Sequence, residues 1–263
     1  MKKKLPFATK ILAIVLALIS LNACSPKVIK ISPIAEIYKE EGDRRIVKEE
    51  KEGIKIVTSY DGEFNNFIVF DTEIFNKTND TLKIDPSAFS LVPFGNKKDT
   101  LVGQNGYSLF YYAANPEQQA KEAELAMKRA KTRHTINTVF NVLLLAANLY
   151  SDVSSSWSSN YRSSASDFFF HQSNYQALAF KQQIDDASFY HRLDKLRYER
   201  GNWQAETFRK TFLMPSESLR GRIYLPKTLG ASFLKMAYPV PSGDEISFWF
   251  DQKVVKAERL QRY

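Results

Sequence analysis

Asn66-Phe67-Ile68-Val69-Phe70-Asp71-Thr72-Glu73-Ile74-Phe75-Asn76 is the stretch that decides the fold class. Ile68, Phe70, Thr72 and Ile74 share one face of a period-2 pattern, and Val69, Asp71, Glu73 and Phe75 share the other. The stretch therefore reads as a half-buried strand with the first set toward the core. The polar turn Asn76-Lys77-Thr78-Asn79-Asp80 ends it, and Leu82, Ile84, Phe89, Leu91 and Phe94 continue the apolar pattern. Upstream, residues 53–60 also alternate, and Asp61-Gly62 has the composition of a hairpin closing that strand.

Working outward, the same signal returns about a hundred residues later. Residues 207–214, 219–225, 231–238 and 245–250 read as short strands separated by Pro215-Ser216-Glu217 and Pro226, and in the last of them Ile246, Phe248 and Phe250 alternate with polar or half-polar neighbours. Between the two sets, residues 107–200 contain no glycine and one proline, Pro116. Strands with turns on both sides of a breaker-free block predict a β-sandwich, mainly β with α, interrupted by an inserted helical hairpin. The expected organisation is a signal over 1–23, a charged linker with a first strand near Val28 over 24–52, a discontinuous sandwich over 53–112 and 205–252, the insert over 113–204, and an exposed tail or short helix over 253–263.

Within the insert, Asn115 and Pro116 form an N-cap and first-turn pair, and Gly201 is a suitable stop, so helices over about 116–150 and 173–200 are expected. The serine-rich residues 151–167 read as a flexible connection. Val139-Phe140-Asn141-Val142-Leu143-Leu144-Leu145-Ala146-Ala147-Asn148-Leu149-Tyr150 is apolar nearly all round and needs a cover. A partner helix with one sheet face, a second copy or another envelope protein, and insertion into a bilayer all answer that need.

The chain begins Met-Lys-Lys-Lys, continues with an apolar run over 11–21, and reaches Leu21-Asn22-Ala23-Cys24. A positive start, a short apolar run and a small residue before the cut describe a secretory signal. Residues 21–24 resemble the lipobox of bacterial lipoproteins, with Asn22 departing from the usual small or apolar second position. That resemblance implies cleavage before Cys24, a diacylglycerol thioether on its sulfur and acylation of the new amino group. It implies a bacterial envelope location, with the protein's partner being the membrane that holds the lipid. Ser25-Pro26-Lys27 is not an acidic run of the kind that resembles surface-export signals, which favours the periplasmic side.

The chain has a formal net charge of +8 from 37 basic and 29 acidic residues. Without residues 1–23, which hold four lysines and no acid, 33 basic residues face 29 acidic ones, a net charge of +4. Half the excess is therefore targeting charge, and no nucleic-acid partner is implied. A single Cys excludes an intrachain disulfide framework.

Phe70-Asp71-Thr72-Glu73-Ile74-Phe75-Asn76 with its turn, Asp85-Pro86-Ser87-Ala88-Phe89-Ser90-Leu91, and Leu213-Met214-Pro215-Ser216-Glu217 through Pro226 resemble the telokin-like, immunoglobulin-like domains of bacterial lipoproteins. The family's pattern is a strand ending in Asn, a polar turn, a strand bringing Phe and Leu to the core, and a Leu-x-Pro-Gly-Glu turn. Ser216 stands where the family has Gly.

No catalytic motif is found: there is no nucleophile elbow, phosphate loop or dinucleotide fingerprint. Neither a catalytic residue nor a cofactor is assigned. His134, His171 and His191 lack cysteine partners, and His191 with Asp194 is read as an exposed polar helix face rather than a metal site. The expected function is non-catalytic binding or assembly through the helical insert, by an envelope protein partner or self-association. Trp157 and Tyr161 at the serine-rich tip are the candidate partner-binding side chains, the alternative for that stretch being a loop with no role. A glycan-binding module using exposed aromatics and a carboxylate-based hydrolase are the competing classes.

Overall fold

The computed structural model describes residues 27–158, 164–205 and 207–256. They fall into a β unit, up to Ala114 and from Lys210 onward, and a helical unit, Asn115–Arg209.

The β unit is built around the stretch that decided the fold. Strand β5 (Phe67–Asn76) pairs antiparallel with β4 (Ile54–Phe64) on one side and β10 (Ser218–Pro226) on the other. Ile68, Phe70, Thr72, Ile74 and Asn76 are buried while Asp71, Glu73 and Phe75 are half-buried, as the alternation predicts, whereas Val69 on the second face is buried as well. Beyond β4 lie β3 (Arg44–Lys51) and β2 (Lys39–Glu41), giving a sheet in the order β10-β5-β4-β3-β2.

The second sheet runs β1-β12-β11-β7-β8, from Lys27–Pro33, Glu245–Lys256, Phe233–Pro239, Ser90–Phe94 and Tyr111–Tyr112. A short pair, β6 (Leu82–Ile84) with β9 (Thr211–Leu213), forms a third. The two large sheets bury their inner faces together. Phe70 of β5 meets Phe250 of β12 with ring centroids 4.9 Å apart, and Ile246, Phe248, Leu234, Met236 and Leu91 are buried with them. The architecture is a β-sandwich whose two sequence halves flank a helical hairpin.

Polar side chains fasten strands to one another inside this core. Thr58 and Thr72 face each other in register across β4 and β5, with hydroxyl oxygens 2.9 Å apart. Asn76, fully buried, donates from Nδ2 to the carbonyls of Asp80 (2.8 Å) and Leu213 (2.9 Å), and its Oδ1 accepts from the amide (3.0 Å) and hydroxyl (2.7 Å) of Thr78. Each hydrogen-bonding site of that amide is filled, which is what a buried polar side chain needs.

Three sequence expectations for the β unit are corrected. The charged run 39–52 is not a linker or helix but the antiparallel β2 and β3, turned by Gly42-Asp43 and joined to β4 by Glu52-Gly53, both at positive φ as a tight hairpin turn demands. Of β3, only Val47 is buried, so the period-2 apolar signal is missing. Asp61-Gly62 is a bulge inside β4 rather than its end: the register shifts between Tyr60 and Gly62, and the hairpin closes at Asn65, which has φ of 51°. The C-terminal tail begins later than expected, because β12 continues to Lys256 and pairs with β1 along Val254↔Ile29 and Lys256↔Lys27. Residues 257–263 lie outside the described residues.

The helical unit also runs longer than its sequence suggests. Helix α1 spans Pro116–Ser158 and α2 spans Ser164–Ala205. Most of the serine-rich stretch read as a flexible connection is therefore helical, since serine lowers helix propensity only modestly and no Gly or Pro interrupts it. Gly201 lies inside α2 rather than after it. The start is as expected: Asn115 caps α1, its Oδ1 accepting from the amides of Glu117 (3.0 Å) and Gln118 (3.2 Å), with Pro116 in the first turn.

Candidate interaction surface on the helical hairpin

The two helices meet along a seam that changes character along its length. In the half near Asn115, Ala123, Met127 and Leu193 are buried. Further along α1 the seam turns polar. His134 stacks on Phe189 of α2 with ring centroids 4.0 Å apart and planes within 7°, and its Nε2 lies 3.6 Å from Asp186. Asn141 is buried and accepts from Lys181, whose Nζ also bonds Asp185 at 2.6 Å. The Thr138 hydroxyl donates back to the His134 carbonyl at 3.0 Å. Lysine and the Asn141 amide together hold the Asp185 carboxyl below the usual carboxylate range, the Lys181 hydrogen bond being the larger cause.

The apolar residues lie on the outside. Ile136, Val139, Phe140, Val142, Leu143, Leu144 and Leu145 of α1 are all exposed, as are Phe180 and Ile184 of α2. Over Val139–Leu145 the partner helix α2 covers Asn141 and leaves the apolar side chains uncovered. In α1 apolar side chains face water while the Asn141 amide and the His134 imidazole face α2, the reverse of the usual amphipathic arrangement. Contiguous exposed apolar patches are, as a general rule, where proteins meet partners or membranes. Among the described residues, no helix is long and apolar enough to cross a membrane.

The candidate residues from the sequence are not brought together here. Cys24 and Tyr161 lie outside the described residues. Trp157 falls in the last turns of α1, and its side chain is likewise outside them. His191 and Asp194 share α2, but Asp194 is bonded to Arg197 at 3.0 Å. Among the described residues, no group of three or more His, Cys, Asp or Glu converges as metal ligands would.

The β unit carries a second charged feature. A cleft of about 760 Å³ is lined by Lys30, Arg44, Arg45, Asp61, Asp251 and Lys253, among others. Two of its carboxylates, Asp61 and Asp251, are matched by cations. Asp61 is paired with Arg44 and with Arg222 (2.8 Å), and Asp251 with Lys253 (2.9 Å). Alongside, Asp71 receives two hydrogen bonds from Arg220, at 3.0 and 2.6 Å, and these hold its carboxyl below the usual range, with Arg44 and Arg222 adding to the effect. The Arg220 and Arg222 pairs join β10 to β5 and β4 across about 150 residues of sequence, and neither was visible from local spacing. They work as ties between strands. Comparison with protein-family models, with curated proteins and with solved structures found no match.

Proposed function

We propose that the chain is a lipid-anchored protein of the bacterial cell envelope, held by acylated Cys24, that acts by binding rather than catalysis, with the helical hairpin as its binding element. The observation that carries the binding role is the exposed apolar surface Ile136–Leu145, set on a capped helix. The sandwich is the scaffold, in keeping with the resemblance to telokin-like, immunoglobulin-like lipoprotein domains. The lipobox-like Leu21-Asn22-Ala23-Cys24 supports the anchor, and two or more acyl chains are what stable anchoring requires.

The test has two arms. Radiolabelled palmitate enters the wild-type protein and not Cys24→Ala; equal labelling of both overturns the anchor. In the second arm, a photo-crosslinker at position 143 captures another envelope component, lipid or protein, whereas one at the exposed position 195 does not. Equal yields at both positions overturn the hairpin as the binding element.

A further inference from the structure

We propose that the helical unit carries an anion site for a phosphate group, free or as a small monoester, held between Arg133 of α1 and Arg192 of α2. The site is separate from the apolar surface and from the lipid anchor, and it depends on neither.

The first observation is a pair of like charges with nothing to offset them. Arg133 and Arg192 come from neighbouring helices and line one cavity. Among the described residues, neither has an ion-pair or hydrogen-bond partner. By contrast, Arg45 has Glu40, Arg197 has Asp194, and Arg44, Arg220 and Arg222 have Asp61 and Asp71. Two unengaged guanidiniums on one cavity repel each other, and an anion between them turns that repulsion into two attractions. The nearby acids do not take this place. Asp185, on the cavity wall, is bonded to Lys181 at 2.6 Å, and Asp186 faces His134 at 3.6 Å.

The second observation is the set of neutral donors. Asn137 lies one turn after Arg133 on α1, and Ser188 lies one turn before Arg192 on α2, so each helix brings an amide or a hydroxyl beside its guanidinium. Neither of these side chains has a partner among the described residues. Between them, the stacked rings of His134 and Phe189, 4.0 Å apart, fix the spacing of the two helices.

The third is size. The cavity holds about 170 Å³, less than the roughly 300 Å³ at which pockets for whole small molecules begin. It therefore takes a single charged group rather than a large ligand. A carboxylate is satisfied by one guanidinium, as Asp71 is by Arg220. Two guanidiniums with an amide and a hydroxyl suit a group with more oxygens, pointing in more directions, which is what a phosphate presents.

The experiment uses the full chain in detergent at neutral pH and low ionic strength, with inorganic phosphate and glycerol phosphate as probes. Binding is followed by calorimetry and by circular dichroism melts. Phosphate raises the wild-type melting temperature above that in chloride of equal ionic strength. Arg133→Gln and Arg192→Gln each weaken phosphate binding about ten-fold. Arg129→Gln removes an equally unpaired charge outside the cavity and changes binding less than about two-fold. Because each cavity arginine repels the other, neither cavity variant melts below the wild type when phosphate is absent, so lost binding is not lost folding. Binding of both probes supports a monoester, and binding of inorganic phosphate alone supports the free anion.

A wild-type chain that gives no heat and no shift beyond the chloride control overturns the site. Equal losses in Arg129→Gln and Arg133→Gln overturn it in favour of diffuse charge screening. A lower phosphate-free melting temperature in either cavity variant overturns it by giving these arginines a structural role. Acetate that binds more tightly than phosphate overturns the choice of anion.

Discussion

Replacing Asn76 with Ala removes one side chain and disturbs three places in the β unit. The amide now donates to the carbonyls of Asp80 and Leu213 and accepts from both polar groups of Thr78. Asn76 is wholly buried and Leu213 is nearly so. Water therefore cannot reach the Leu213 carbonyl without opening the junction between the end of β5 and the end of β9. At roughly 1 kcal/mol net for each of four bonds, raised by the cost of leaving a buried carbonyl unpaired, the loss is about 3–5 kcal/mol. That is a large part of the stability of an ordinary domain. Asn76→Asp keeps the acceptor bonds to Thr78 but loses both donated ones, and it puts a carboxylate against two carbonyls, so its cost is no smaller. The assay is urea unfolding read from Trp249, in a background where Trp157 and Trp203 are Phe so that only the β unit reports. With an urea m-value of about 2 kcal/mol/M, the midpoint falls by roughly 1.5–2.5 M. A loss below about 1 kcal/mol for Asn76→Ala, with an unchanged m-value, refutes the reasoning. It means the junction is held without the amide.

Three further outcomes follow from the same geometry. Thr58→Val and Thr72→Val each cost about 1–2 kcal/mol because each strands the other's buried hydroxyl. The double variant costs less than the sum, and an additive cycle contradicts the pairing. Asp71 has its carboxyl pKa depressed in the folded state, chiefly by the Arg220 hydrogen bonds, so its contribution is present above the unfolded value near 3.9 and is lost as pH falls through the folded value. Arg220→Gln should lower stability at pH 7 and flatten the decline below about pH 4. Parallel midpoint-against-pH curves for variant and wild type count against that tie. In the lipid-free helical unit, Leu193→Ala costs about 2–5 kcal/mol, as expected for a buried seam residue, whereas the exposed Leu143→Gln stays within about 0.5 kcal/mol. Thermal melts followed by circular dichroism at 222 nm compare the two, and similar losses would mean that Leu143 is packed after all.

The sandwich was legible where one face of a strand is apolar and the other is not. Ile68, Phe70 and Ile74 in β5, and Ile246, Phe248 and Phe250 in β12, carry the period-2 signal and are buried as it requires. β2 and β3 were missed for the same physical reason in reverse, since they lie at a sheet edge with nearly every side chain in water. Alternation has nothing to mark there except the Gly42 and Gly53 turns. Asp61-Gly62 shows a different limit: a bulge and a hairpin turn ask for the same backbone freedom, so composition does not separate them. In the insert, the apolar run of α1 was plain in the sequence, but which way Asn141 and His134 face depends on α2. The ion pairs of Arg220 and Arg222 with Asp71 and Asp61 join strands far apart in the chain, so no local pattern announces them.

The position of the hairpin between β8 and β9 has a consequence for how the chain acquires its structure. β5 cannot complete its pairing until β10 arrives, and the two are separated by the whole of α1 and α2. Closing a flexible loop of that length is slow and entropically costly. The hairpin is made of local contacts and can form by itself on a much shorter timescale. Once it has, Pro116 and Glu117 at its beginning line the same small cleft as Trp203 and Arg209 at its end. A segment of about ninety residues then behaves as a link of about ten, which lowers the closure cost by roughly 2 kcal/mol. Helix formation in the insert is thus a step toward completing the sheet. Substitutions that weaken the Asn115 cap or the Leu193 seam should prolong the time that β5 waits with an open edge, the state in which a strand is most prone to pair with another chain.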